Sequence, residues 1–173
     1  MTNDHDAFLR ATMGCMDLVY NLSRRLVRGR EEAEDLAQDT YLAAFRAWQD
    51  HRRPRRVEPW LATICLNLAR SRYRARSRRP IEVELEEGAT AAGLDDPETA
   101  ALASLDRAAL HAAMWRLSEE QRVAITLVDL AGLSTAEAAK VMDTPRGTVL
   151  SRLHRGRRAL AELLEDTIQE VER

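Results

Sequence analysis

The chain has few aromatic residues, few cysteines and no long apolar run. Aromatics make up 5% of its 173 residues, and cysteine occurs only twice. Two cysteines cannot provide the disulfide framework that small secreted folds need, so we interpret Cys15 and Cys65 as helix-packing residues. Because no apolar run approaches roughly 18 residues and no charged-then-apolar leader begins the chain, we expect a soluble cytoplasmic protein without membrane insertion.

The sequence also lacks the residue patterns of an enzyme or a metalloprotein. No nucleophile stands at a recognisable spacing from a base, and no glycine-rich phosphate-binding loop is present. The four histidines are scattered without the spacing of metal ligands: His5, His51, His111 and His154. We therefore predict no catalytic residue, no bound metal and no cofactor.

Alternating β-branched runs are almost absent, and the composition, which is 45% hydrophobic, is dominated by alanine and leucine. The sequence thus predicts an all-α fold. Helical spacing of the apolar residues places helices over about residues 6–27, over 31–48 and from residue 58 onward. Residues 80–95 are acidic, small and glycine-containing, with no sustained period. We predict two small helical domains, residues 1–79 and 96–173, joined by this flexible acidic linker.

The second domain contains the pattern of a helix-turn-helix. Ser134 and Glu137 form a capping box before a short helix, and Thr144 can cap a second helix that has Pro145 at its first position. One face of that second helix carries residues spaced by four and three: Val149, Leu153, Gly156, Leu160 and Leu163. The other face is basic, which favours insertion into a DNA major groove. A helical hairpin with a merely solvated basic face is the alternative.

A formal net charge of −2 conceals two oppositely charged segments. Residues 51–80 hold ten arginines and a single acid, a net charge of +9, whereas residues 81–106 hold eight acids and no base. Arginines interleaved with Trp48, Trp60 and Tyr73 suit a single-stranded nucleic acid, because cations follow the backbone while aromatic rings receive the bases. Alternatively, at least one of the two tryptophans belongs to the core.

The helix predicted over residues 31–48 carries a polar, acidic face beside its apolar stripe. This acidic face comprises Glu34, Asp35, Gln38 and Asp39. Acids near the start of a helix compensate the helix dipole, so the residues alone favour a solvated face.

Three motifs give the chain a resemblance to a known family. Ala33–Arg46 reads AEDLAQDTYLAAFR, Trp60–Asn67 reads WLATICLN, and Gly132–Ser134 precedes the run PRGTVLSRLHRGR. They resemble, in this order, the core-polymerase-binding helix, the W-L-x-x-I-x-x-N segment and the helix-turn-helix signature of bacterial RNA polymerase sigma factors of the extracytoplasmic-function (ECF) group. The resemblance covers roughly residues 8–80 and 97–162, which is nearly the whole chain.

The resemblance implies a role for each of these surfaces. The acidic face would bind core RNA polymerase. The following segment would bind the minus-ten element and its melted non-template strand through basic, polar and aromatic residues: His51, Arg52, Arg53, Arg55, Arg56, Trp60, Asn67, Arg70 and Arg74. The second helix of the helix-turn-helix would bind the minus-35 element through seven residues: Arg146, Thr148, Leu150, Ser151, Arg152, His154 and Arg155.

The implied function is transcription initiation: binding of core RNA polymerase, recognition of a two-part promoter in duplex DNA, and strand opening. An anti-sigma factor is the expected inhibitory partner. The alternative is a sigma-factor mimic that sequesters an anti-sigma factor, but a mimic has no reason to keep the arginines of residues 51–80. Leu150 stands where the family usually has lysine, so the promoter sequence is not carried over from the family.

Overall fold

The computed structural model describes residues 2–50, 53–76 and 97–171. The helices of its first part are α1 (Thr2–Thr12), α2 (Met16–Leu26), α3 (Arg30–Gln49) and α4 (Val57–Arg76). Those of its second part are α5 (Pro97–Arg116), α6 (Glu119–Ile125), α7 (Thr135–Met142) and α8 (Arg146–Val171). The described residues contain no strand, which confirms the all-α prediction, and none of their helices is long and apolar enough to cross a membrane. The predicted acidic linker, residues 80–95, lies outside the described residues.

The prediction of one uninterrupted first helix is wrong. A 3₁₀ turn at Met13–Cys15 separates α1 from α2. The Thr12 hydroxyl donates a hydrogen bond to the Phe8 carbonyl oxygen at 2.9 Å, and Gly14 in the turn has a low helix propensity; both weaken a regular helix there. The break lets Phe8 reach an aromatic cluster on α3, where its ring lies edge-on to those of Tyr41, Phe45 and Trp48.

Helices α2, α3 and α4 pack around an apolar core. Its fully buried side chains include Leu22, Leu36, Leu61 and Leu66. Both cysteines are buried and unbridged, as the packing interpretation predicts. Burial raises the pKa of each thiol, so both stay protonated at neutral pH.

The capping box predicted at Ser134 is present in the second part, and α6 begins with a second one. At the start of α7 the Glu137 backbone N–H donates to Ser134 Oγ at 3.2 Å, and the Ser134 N–H donates to Glu137 Oε2 at 2.9 Å. Ser118 and Gln121 repeat the arrangement at α6. The prediction that α8 has Pro145 at its first position is off by one residue, because the Pro145 carbonyl already accepts the first hydrogen bonds of the helix.

The two parts of the chain pack against each other. Helix α4 contacts α7, and α2 contacts α6 together with a π turn at Thr126–Leu130. One apolar cluster runs across this seam, from Leu66 and Ala69 on α4 to Leu127, Leu133 and other buried residues of the second part. The helix-turn-helix is therefore held beside the first helical unit.

Helices α6 and α8 approach closely at Gly156, which predicts a strong effect of side-chain size. A Cβ atom at Gly156 would lie 2.9 Å from Ile125 Cδ1 and 3.1 Å from Gln121 Cβ. We expect Gly156→Leu to lower the free energy of unfolding by about 1–3 kcal/mol, measured by urea denaturation. Gly147→Leu is the matched control on the same helix, because a Cβ there meets nothing within 4 Å. Equal effects of the two substitutions would contradict the packing argument.

Candidate nucleic-acid interface

The second helix of the helix-turn-helix, α8, has one buried and one exposed face. Val149 is 0% exposed, Leu153 is 2% exposed and Gly156 is buried, as their spacing predicts. The opposite face presents exposed residues from the start of the helix onward: Arg146, Leu150, Ser151, His154 and Arg155. This face offers donors, acceptors and an apolar side chain to a ligand, which are the groups that recognise base edges in a major groove.

Hydrogen bonds within the helix-turn-helix orient this face. Arg146 Nε donates to Thr135 Oγ1 of α7 at 2.9 Å, which ties α8 to the preceding helix. Ser151 Oγ donates to the Thr148 carbonyl oxygen at 2.9 Å, and Arg155 Nε donates to the Ser151 carbonyl oxygen at 3.3 Å. Thr148 is half-buried. The arginine contacts leave guanidinium N–H groups available to phosphates or bases.

Arg152 differs from its predicted neighbours on α8. Its side chain is only 16% exposed, and Arg152 Nη2 lies 2.9 Å from Glu120 Oε1 on α6. Periodicity places residue 152 at the border between the two faces of α8. The sequence alone therefore does not show which partner the Arg152 side chain contacts. In this structure Arg152 links α6 to α8, whereas Arg155 is fully on the exposed face.

The loop before α4 brings arginines to the surface of the first part. Arg55 is exposed. Arg53 Nη2 donates to Asp4 Oδ1 at 2.6 Å, and its guanidinium lies 5.3 Å from the centroid of the Trp48 ring. Arg56 Nη1 donates to Glu137 Oε1 at 2.5 Å, and Arg56 Nε is 3.6 Å from Glu58 Oε2. His51 and Arg52, the other predicted residues of this loop, lie outside the described residues.

The two tryptophans next to this loop have different environments. Trp48 is 7% exposed and belongs to the core, which confirms that at least one of the pair is a packing residue. Trp60 is half-buried at the start of α4, with its ring centroid 6.5 Å from that of Trp48. The buried Trp48 ring thus packs against both Trp60 and the Arg53 guanidinium, while Trp60 itself remains partly exposed.

The later turns of α4 extend the basic surface. Asn67 and Arg74 are exposed and Arg70 is half-buried. Arg70, Tyr73 and Arg74 line a cavity of about 210 Å³ that also includes Glu119 of the second part. Two further arginines of α4 turn toward α3, because each pairs with an acid of that helix, Arg72 with Asp39 and Arg76 with Glu32. The ten arginines of residues 51–80 are therefore not all directed at one ligand.

The acidic face of α3 is on the surface, on the opposite flank of α3 from the core. Asp35, Gln38 and Asp39 are exposed, and Glu34 is half-buried and accepts a hydrogen bond from Arg30 Nε at 2.7 Å. Leu42, which is 54% exposed, lies on the same flank, three residues after Asp39 and seven after Asp35. The sequence analysis did not single out Leu42, although its helical spacing from Asp35 and Asp39 could have indicated that it shares their face.

Comparison with protein-family models matches two regions of the chain. Residues 14–79 match Sigma-70 region 2, and residues 107–160 match Sigma-70, region 4. The chain is 33% identical over 176 residues to the RNA polymerase sigma-H factor of Pseudomonas aeruginosa, with 97% of this chain and 91% of that protein covered. It belongs to the sigma-70 family of RNA polymerase sigma factors, in the ECF group.

Two further similarities agree with this membership. The ECF RNA polymerase sigma-E factor of Escherichia coli is 34% identical over 146 residues, which cover 80% of this chain and 76% of that protein. A sigma factor RpoE from Bartonella quintana, solved in complex with the anti-sigma factor NepR, has a TM-score of 0.79 and 29% identity over 92% of this chain and 97% of that one. This sigma factor is therefore a transcription initiation factor, a class that acts with core RNA polymerase and promoter DNA. Among the residues that the structure describes, no group of three or more potential ligands could hold a metal ion.

Proposed function

We propose that this sigma factor reads its promoter with two separate surfaces and binds core polymerase with a third. Residues 1–79 form the unit that binds core polymerase and the minus-ten element, residues 80–95 are a linker, and residues 96–173 form the unit that binds the minus-35 element. We place the protein in the cytoplasm, where RNA polymerase acts. It has no bond-making chemistry of its own, since its work is binding and strand separation.

The observation that carries this proposal is the division of α8 into a buried and an exposed face. Val149 and Leu153 anchor the helix to the domain, so the face that bears Arg146, Ser151 and Arg155 stays free to enter a major groove. Arginine can bind guanine or phosphate with two hydrogen bonds. Leu150, which is 48% exposed, has no polar group and would contact the methyl group of a thymine.

The second surface is the loop before α4 with the exposed side of that helix. Arg55, the half-buried Trp60 and the polar residues of α4 would bind the non-template strand of the minus-ten element once it is melted. Unstacking a base costs a few kcal/mol, and a cationic surface beside an aromatic ring recovers that cost. Asn67, Arg70 and Arg74 would follow the phosphates of the upstream duplex. His51 and Arg52 directly precede Arg53 in the sequence, and we assign them to the same surface.

The third surface is the acidic face of α3 with Leu42, which we assign to core polymerase. An anti-sigma factor is the further partner we assign, because the similar RpoE was solved with one. The function of a sequestering mimic is less well supported, since Arg55 and Arg74 remain exposed in the first part and Arg146 and Arg155 in the second. A protein that only captured an anti-sigma factor would need neither pair.

The salt dependence of promoter binding tests the assignment of α8. We expect Arg155→Ala to weaken binding of the polymerase holoenzyme to its promoter and to lower the slope of log K against log salt by about one, because each lost phosphate contact removes about one released counterion. Binding is measured by fluorescence anisotropy at several salt concentrations.

Arg157→Ala is the matched control for this measurement. It removes the same charge two residues away, but the Arg157 guanidinium binds Asp129 of the π turn, with Nε 2.9 Å from Oδ2. The Arg157→Ala slope should stay close to that of the wild type. An unaltered slope for Arg155→Ala would count against phosphate binding by that residue.

A further inference from the structure

A cavity of about 210 Å³ lies between α2, α4 and the start of α6. Its lining combines apolar, aromatic, cationic and anionic side chains: Leu26, Ala69, Arg70, Tyr73, Arg74 and Glu119. Leu26 and Ala69 provide the apolar wall, since Ala69 is buried in the core and Leu26 packs against it. Sites for drug-sized molecules measure about 300–1,000 Å³, so this cavity has room for one planar ring system and not for a larger molecule.

The two arginines of the cavity have donors that no acid of the described chain occupies. Arg72 and Arg76, on the same helix, each pair with an acid of α3. Arg70 and Arg74 form neither an ion pair nor a hydrogen bond with the residues that the structure describes. A guanidinium binds a phosphate group with two parallel hydrogen bonds. The cavity therefore offers two cations with unused donors to a phosphorylated ligand.

Tyr73 and Glu119 add groups that suit the base of a nucleotide. Tyr73 is 71% exposed, so much of its ring is accessible to a planar ligand, and aromatic rings stack on bases. Glu119 is exposed at the first position of α6. Its carboxylate presents two neighbouring acceptors, and among the common bases only guanine has two adjacent donors, N1–H and N2–H, on its Watson–Crick edge. The cavity therefore matches a ligand with guanine at one end and phosphate at the other.

We propose that this cavity binds a free guanosine nucleotide, with the base between Tyr73 and the apolar wall and the phosphates at Arg70 and Arg74. Glu119 selects guanine through its two acceptors. No covalent bond forms or breaks, so the nucleotide acts as a regulatory ligand. One consequence rests on the proposed function: because Arg70 and Arg74 are also assigned to phosphates of the upstream duplex, the bound nucleotide competes with promoter DNA.

Isothermal titration calorimetry of the free full-length protein tests recognition of the base. We expect GDP to bind about tenfold more tightly than ADP or xanthosine diphosphate (XDP), because only guanine satisfies both acceptors of Glu119. Glu119→Gln should reverse the preference between GDP and XDP, since an amide offers one acceptor and one donor, which match N1–H and the O2 carbonyl of xanthine. An unchanged preference in this variant, or binding of inorganic pyrophosphate as tight as that of GDP, would overturn guanine recognition.

Replacing Arg74 tests the phosphate contact. We expect Arg74→Gln to weaken GDP binding about tenfold, because hydrogen bonds to a charged phosphate are lost. Arg76→Gln is the matched control, since it removes the same charge from the same helix, whereas Arg76 pairs with Glu32 of α3. Equal losses in the two variants would overturn the site. Tighter binding of a single-stranded oligonucleotide with one guanine than of GDP would overturn the assignment to a free nucleotide.

Competition with promoter DNA separates this inference from the proposed function. The holoenzyme is bound to a fluorescent promoter duplex, and GDP is added, which lacks the third phosphate that RNA synthesis requires. We expect GDP to release the duplex from the wild-type holoenzyme, with about tenfold less effect on the Glu119→Gln holoenzyme. If GDP bound the free protein but released no DNA, the assignment of Arg70 and Arg74 to duplex phosphates would fail and the nucleotide site would stand. Absence of GDP binding to the free protein would overturn the site, even if the holoenzyme recognised its promoter.

Discussion

Replacing both Asp35 and Asp39 with arginine is expected to abolish binding of core RNA polymerase. Both carboxylates are exposed on one flank of α3, where they are accessible to a partner. Reversing two charges in such a contact replaces attraction by like-charge repulsion, which costs several kcal/mol. We therefore expect the affinity for core polymerase to fall by about a hundredfold or more, measured by biolayer interferometry.

The design of this experiment has to separate binding from folding. Asp39 pairs with Arg72 of α4, so Asp35→Arg alone is measured as well, and thermal unfolding is compared for all variants. The matched control is the double replacement of Glu165 and Asp166 by arginine, which changes the net charge equally on an exposed part of α8. Retention of wild-type affinity by the Asp35 and Asp39 variants would remove the acidic face from the polymerase contact.

Replacing Arg55 with alanine is expected to disfavour promoter opening far more than it weakens the closed complex. Arg55 is exposed in the loop before α4, and its charge would contact a strand that becomes available only after the base pairs separate. A hydrogen bond to a charged group contributes about 1.5–3 kcal/mol, so the open complex should form about tenfold to a hundredfold less favourably. Permanganate footprinting of unpaired thymines measures this directly.

Arg10→Ala provides the comparison for Arg55. Arg10 is an exposed arginine on α1, and its replacement by alanine removes the same charge from the same part of the chain. Its footprint should match that of the wild type, while closed-complex formation should be similar for all three proteins. Normal permanganate reactivity in Arg55→Ala would show that the loop does not hold the melted strand.

Local signals account for most of what the sequence predicted correctly. Ser134 with Glu137 and Ser118 with Gln121 mark helix starts because a capping box involves only four consecutive residues. The buried face of α8 follows from its spacing alone, and the burial of Trp48 and both cysteines follows from their apolar neighbours. The break at Gly14 was missed, because the apolar spacing of α1 continues into α2 across the 3₁₀ turn.

Contacts between distant residues could not be predicted in this way. Arg122 follows Glu119, Glu120 and Gln121 in the sequence, and nothing local indicates that its guanidinium reaches the Arg25 carbonyl oxygen, 97 residues earlier. Arg152 lies by periodicity at the border between the two faces of α8, and its side chain pairs with Glu120 on a neighbouring helix. Long arginine side chains at the edge of a helix can point either way, so only tertiary packing decides whether they bind DNA or another helix.

Transcription by core RNA polymerase reconstituted with this protein, on genomic DNA with mapping of the 5′ ends, tests the central proposal most directly. We predict discrete start sites preceded by two shared sequence elements, near positions minus ten and minus 35, and loss of these transcripts with the Asp35 and Asp39 double variant. Transcripts no more abundant than those of core polymerase alone, or start sites without shared upstream elements, would contradict a role in promoter recognition.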